Sequence, residues 1–367
     1  MGVPVGRKNL FSEPRRAVLG VGGVAVALLL VLMLGGIVDG AIREVTAYID
    51  TSPADVFVAQ AGVRNMHMAS STIPIDDLQT IRGLPGVSWA DPIRYAPDAV
   101  STASGRRIAY VIGFVPGGRG GPAALVEGHV PGSGEVVIDR RAAESLGVGV
   151  GEEVVLLGAR WTVSGLTSGL TNLANTVAFI TYREFEAATG THGTASYVLL
   201  GGDAPAANLA ATIERATGLS ALPKSAFADQ ERGLVEDMSA QLIQIMNVAA
   251  MLIALAVIAL TLYSTTLSHL REVGVIKALG ATRSRLTGVV LSQAAWTVVT
   301  AVGVAVALAV GLSVLVSRVT TNVSILLEPA AVARLVVAAT VLGLLGAITP
   351  MIKVWRVDPA TVFRRNR

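Results

Sequence analysis

The sequence predicts an α-helical membrane protein with four transmembrane helices and an α+β extracytoplasmic domain between the first and second of them. Three observations carry that prediction. Hydrophobic residues make up 52% of the 367-residue chain and charged residues 15%, too apolar a balance for a soluble globular protein. The apolar residues gather into four runs that approach or exceed the roughly 20 residues a helix needs to cross the hydrocarbon core. The charges also divide by sign. Segments 1–16, 269–285 and 353–367 together carry 13 basic and 3 acidic residues, whereas 39–241 carries 14 basic and 22 acidic.

The elements follow in order. An interfacial N-terminal segment, 1–16, leads into the first span, 17–39. A secretory signal peptide also opens on basic residues, but about 22 apolar residues exceed its h-region and no Ala-x-Ala site follows, so the span is retained. The second and third spans are 242–268 and 286–317, and no charged residue falls between Leu242 and Leu267 or between Leu286 and Ser317. The fourth, 335–352, is the shortest and has Pro350 near its end. Lys353 and Arg356 can extend it by snorkelling. Short loops rich in Lys and Arg stay in the cytoplasm. Both termini and 269–285 are therefore expected inside, with 40–241 and the short loop 318–334 outside. The pI near 9.4 averages two oppositely charged faces and implies no nucleic-acid partner. Richness in Ala, Gly and Val fits a high-GC genome, and so a multi-pass protein of a bacterial cell membrane.

Between the first two spans the pattern changes to short strands and turns. Strands are expected at 55–59, 107–115, 135–138, 153–157, 161–164, 176–180 and 197–200, with helices at 74–82 and 205–217 and a glycine-rich loop at 117–122. These fall into a β-α-β layer (50–115 with 195–228) and a β-rich insertion (116–194). The chain has no cysteine, so the domain must rely on its core rather than on disulfides. Two helical stalks tie it to the spans. Ile42, Val45 and Ile49 continue a stripe beyond the first span, and Leu234, Met238, Leu242 and Ile245 lead into the second.

The densest signal lies between the second and third spans, in Arg271, Glu272, Val273, Gly274, Val275, Ile276, Lys277, Ala278, Leu279, Gly280, Ala281 and Thr282. Val273, Ile276 and Leu279 recur at helical spacing, so the loop is expected to coil with an apolar stripe. Gly280 suits a C-cap and Thr282 an N-cap for the next helix. A plain hairpin needs only a polar turn, so an ordered amphipathic turn points to a docking surface.

Arg-Glu-x-Gly-x-x-Lys-Ala-x-Gly-Ala-Thr after a transmembrane helix resembles the coupling segment of the FtsX/MacB superfamily of ABC-transporter permeases. Asn9, Leu10 and Phe11 followed by Pro14, Arg15, Arg16 and Ala17 resemble the family's opening. Arg356, Val357, Asp358, Pro359 and Ala360 resemble its closing motif. The DevC-like members, which have no fused ATPase domain, are the nearest match. The resemblance implies a permease dimer, homo- or heteromeric, served by a separate cytoplasmic ABC ATPase and set among membrane lipids, with an extracytoplasmic adaptor as a further partner. Glu272 and Lys277 would contact the ATPase, while Gly274 and Gly280 would permit close approach and the turn. The implied activity is export or extraction of a lipid, peptide or amphiphile. FtsX itself suggests an alternative, regulation of an outer partner such as a cell-wall hydrolase without solute transport.

Other chemistry is not expected on this chain. None of its four lysines follows a glycine-rich loop in a Gly-Lys-Ser/Thr pattern, so ATP and Mg²⁺ are assigned to the partner and no cofactor to the chain itself. His67, His129, His192 and His269 are isolated and offer no ligand spacing. No Gly-x-Ser-x-Gly elbow favours a hydrolase, and no catalytic residue is assigned. The spans hold no centred charge. Their polar residues, Asn247, Gln293 and a Thr/Tyr/Ser cluster at 261–266, are expected to hydrogen-bond between helices.

Overall fold

The computed structural model of the chain describes residues 14–172, 175–268, 275–279, 281–319 and 328–356. It contains two compact units, a helical one and one formed by Gly40–Met238.

The helical unit is built on four helices, α1 (Pro14–Val45), α7 (Lys224–Ser268), α8 (Arg283–Val319) and α9 (Pro329–Trp355). Their apolar stretches Val18–Val45, Gln244–Ser268, Arg283–Val316 and Pro329–Trp355 are each long enough to span a bilayer. Small residues set the packing. Ala254 of α7, Ala301, Ala305 and Ala309 of α8 and Ala339 and Ala347 of α9 are all buried together. A Cβ on Gly20 would lie 2.3 Å from Thr261 Cγ2, and one on Gly346 would lie 2.7 Å from Ile258 Cγ2. Lipid gives helices no hydrophobic reason to associate, so close backbone approach and van der Waals contact do that work. Large apolar side chains such as Leu260, Val299 and Val337 point outward, as a lipid-facing surface requires. Thr265 of the polar cluster differs from expectation: it donates to the carbonyl of Thr261 one turn earlier, as Ser268 and Thr297, outside that cluster, donate to those of Ser264 and Gln293. In a helix the carbonyl four residues back is always within reach, whereas a neighbouring helix need not offer an acceptor.

The outer unit is an α+β domain lying in sequence between α1 and α7. Its ten-stranded sheet uses β1 (Val56–Ala59), β3 (Val87–Ser101), β4 (Arg106–Phe114), β5 (Glu127–Gly128), β6 (Glu135–Asp139), β7 (Glu153–Leu156), β8 (Ala159–Thr167), β9 (Thr176–Thr181), β11 (Tyr197–Gly202) and β12 (Ser220–Pro223). The order is β12-β1-β11-β3-β4-β9-β6-β8-β5, with β7 against β3 and β8; β2 (Ile73–Pro74) pairs separately with β10 (Thr194–Ala195). In β1 and β11, Val56, Val58, Val198 and Leu200 face α3 (Ile75–Arg82) and α6 (Ala206–Thr217), in a core with Leu78, Ile81, Leu209 and Ile213. Phe57 and Leu199 alternate to the opposite face, which they share with Ile112, Phe114 and Phe179. Burial on both faces is why these strands read as unbroken apolar runs. A third core gathers Val111, Ile138, Trp161 and Ile180 around α4 (Arg140–Leu146) and α5 (Tyr182–Thr189).

The two expected subdomains therefore share one sheet. β4 pairs antiparallel with β3 and parallel with β9, from Ala109↔Thr176 to Phe114↔Thr181, so the insertion completes an edge that a separate layer would leave open. β3 had no counterpart in the strand pattern, because Pro92, Pro97, Asp91 and Asp98 interrupt its alternation. α4 and α5 were too short to show periodicity. Each is instead defined by its caps. Asp139 accepts from Arg141 N and Thr181 from Glu184 N, and Gly147 and Gly190 close the helices at φ 66°.

Candidate functional site

Between the second and third spans, residues 275–278 are helical. Leu279 N donates to Val275 O at 3.0 Å and Ala281 N to Ile276 O at 3.2 Å, which closes the turn. Thr282 then caps α8, its Oγ1 accepting from Arg285 N at 3.4 Å and its carbonyl from Leu286 N at 3.2 Å. Leu279 is 83% exposed, and Val275 and Ile276 are also outward. Apolar side chains on a turn this small have no core to enter. Lys277 Nζ donates to Trp355 O at 3.0 Å, and Trp355 Nε1 donates to Thr287 Oγ1 at 3.0 Å. Lys277 thus meets the carbonyl end of α9, where a cation complements the helix dipole. Arg271, Glu272, Val273, Gly274 and Gly280 lie outside the described residues, as do residues 357–360 of the closing motif and Asn9, Leu10 and Phe11 of the opening.

The stalk residues are placed as follows. Ile42 and Val45 are half-buried at the end of α1, whereas Ile49 is buried in α2 (Ala47–Thr51). The expected continuous stripe is thus interrupted at Thr46. Leu234 is half-buried in α7, which also includes Met238. The first turns of α7 anchor on the sheet. Phe227 stacks on Phe57 with ring centroids 4.9 Å apart, and meets Tyr197 edge-on at 6.1 Å. One turn later, the fully buried Glu231 accepts from Met66 N, and its Oε2 lies 2.8 Å from His67 Nδ1.

His67 sits edge-on to Tyr110 at 4.4 Å, Tyr110 stacks on Tyr95, and Tyr95 meets Tyr197. Burial, with the Glu231 charge adding to it, pushes the phenols of Tyr95, Tyr110 and Tyr197 up, so all three remain neutral. Sequence reasoning left His67 isolated and missed Glu231. They stand 164 positions apart, and no local pattern joins residues so distant.

A family model for the MacB-like periplasmic core domain matches residues 17–216, and one for the FtsX-like permease C-terminal matches residues 245–359. Two uncharacterized ABC transporter permeases of Mycobacterium tuberculosis are similar along nearly the whole chain. One is 25% identical over 95% of each chain and the other 26% over 97% of each. Among solved structures, the periplasmic region of MacB from Actinobacillus actinomycetemcomitans is similar at TM-score 0.37 and 12% identity, over 50% of this chain and 94% of that one. The extracellular domain of the noncanonic ABC-type transporter YknZ from Gram-positive bacteria is similar at TM-score 0.36 and 13% identity, over 46% and 99%.

Proposed function

Because the chain belongs to the MacB/FtsX family of ABC-transporter permeases, we propose that it transmits ATP-driven motion from a separate cytoplasmic ATPase to its extracytoplasmic domain. The observation that carries this reading is the turn at 275–279, which presents Val275, Ile276 and Leu279 to solvent. An ATPase seated there would bury that apolar surface, and Glu272, from its place in the motif, would supply a polar contact. ATP and Mg²⁺ belong to the ATPase. Two permease chains, identical or not, would form the working unit, with an extracytoplasmic adaptor completing it. The output is export or extraction of a lipid, peptide or amphiphile. The spans lack a centred charge, which suits moving an external domain better than conducting a polar solute.

Leu279→Asp in the permease–ATPase complex tests the docking surface. Burying a leucine contributes roughly 1.5–3 kcal/mol, so the variant should insert normally yet bind the ATPase about tenfold to a hundredfold more weakly. ATPase capture and ATP turnover both at the unmodified level would show that the turn is not the docking site.

Orientation is tested independently. The chain has no cysteine, so after labelling of intact cells and purification of the chain, any label reports the single cysteine introduced at position 150 or 278. A membrane-impermeant maleimide should label position 150 and spare 278. The reverse pattern would place the turn on the face away from ATP and end the proposal.

A further inference from the structure

α1 ends at Val45 and α2 begins at Ala47, leaving Thr46 between them with φ −97° and ψ 7°. Thr46 is fully buried, and its hydroxyl is the centre of a small polar network. It donates to Asp50 Oδ2 at 2.7 Å and accepts from Arg232 Nη2, on α7, at 3.0 Å. The same Nη2 reaches Asp50 Oδ1 at 3.1 Å and Oδ2 at 2.9 Å, while Nη1 reaches Asp229 Oδ1 at 3.1 Å. Lys224, at the start of α7, donates to the carbonyls of Asp50 at 2.8 Å and Ser52 at 2.7 Å. Two cations of α7 therefore grip the segment that follows the break.

We propose that Arg232 is a latch on a hinge at Thr46, holding the first stalk to the second by pinning Thr46 and Asp50 together. Three features support it. A helix bends where a side chain intrudes on its hydrogen-bond ladder, and Thr46 Oγ1 also lies 3.3 Å from Arg43 O, within reach as an alternative acceptor for its one hydrogen. The Asp50 and Arg232 side chains are 41% and 32% exposed, so as a lone ion pair they would contribute under about 1 kcal/mol. Here, however, one guanidinium serves three oxygens and also fixes a buried hydroxyl. Finally, a cavity of about 20 Å³ lies against the break, lined by Val45, Tyr48, His67, Tyr95 and Tyr110 among others. Close packing against the break would resist bending there. The buried Tyr95 hydroxyl, which has no hydrogen-bond partner among the described residues, belongs to the same cluster. Tyr48, beyond the break, is anchored to the loop after β4 through its hydroxyl, which donates to Gly120 O at 2.9 Å. The break thus separates an anchored segment from the helix that enters the membrane span. For its functional consequence the latch rests on the transmission reading above.

The test is amide hydrogen exchange at residues 46–52 in the full-length chain, with Arg232→Met, Asp50→Asn and the double variant. Each single variant should speed exchange there about fivefold, equivalent to ~1 kcal/mol, while β8 stays as protected as before. The double variant should be no faster than the faster single one, because both changes remove the same contact. Asp50→Asn keeps side-chain volume, so it separates release of the latch from a folding defect. Exchange at 46–52 unchanged in both single variants, or strictly additive effects in the double, would overturn the latch, whatever the ATP turnover. Faster exchange with unaltered turnover in the permease–ATPase complex would confirm the latch and refute the stalks as the route of transmission.

Discussion

Replacing Glu231 with alanine should destabilise the outer domain by about 2–4 kcal/mol and lower its unfolding temperature by roughly 5–15 °C. Glu231 is fully buried, accepts from Met66 N and pairs with His67. Removing the carboxylate strands a buried backbone N–H, which costs roughly 1–3 kcal/mol, and the lost side-chain volume leaves a void beside Tyr197. Glu231→Gln keeps an acceptor for Met66 N and the same volume, so it should cost less than half as much. Thermal unfolding of the full-length protein followed by tryptophan fluorescence provides the comparison. Equal melting temperatures for Glu231→Ala and the unmodified chain would show that the segment around Met66 and His67 is held by something else.

Phe227→Ala should cost about 3–5 kcal/mol, the range for emptying a buried aromatic site. Phe227 is 1% exposed, stacked on Phe57 and edge-on to Tyr197. It is also the side chain that seats the first turn of α7 on the sheet. Exchange protection should therefore fall first in β12 and β1, which adjoin that turn. Phe227→Leu keeps most of the apolar volume and should recover more than half of the loss. Because Glu231 lies one turn along the same helix and both residues border Tyr197, the double variant should lose less than the sum of the single losses. A melting temperature unaffected by Phe227→Ala would mean that α7 needs no aromatic anchor.

The four spans were legible in the sequence because hydropathy acts locally: a bilayer demands about 20 consecutive apolar residues, a requirement that needs no tertiary knowledge. The helical turn between the second and third spans was legible for a similar reason. Of the expected stripe Val273, Ile276 and Leu279, the last two lie in that turn while Val273 is outside the described residues, and Thr282 caps the next helix through its own near neighbours. The short, unbroken apolar runs of β1, β6, β9 and β11 announced strands buried on both faces.

What the sequence could not show is which distant partners those strands would choose. The parallel pairing of β4 with β9 joins residues 67 positions apart and turns two expected layers into one sheet, a choice made by edge hydrogen bonds that leave no periodic trace. β3 was obscured by Pro92 and Pro97, which its pairings with β11 and β4 accommodate. The same holds for the polar contacts that position the stalks. Arg232 and Asp50 are 182 positions apart, and each alone looks like an ordinary surface charge. Only folding brings a guanidinium to a buried threonine at a helix break. Local periodicity therefore determined the four apolar helices and the short helical turn between the second and third of them. Long-range packing alone decided how the strands of the outer domain join into one sheet and which residues of the second stalk meet the helix break at Thr46.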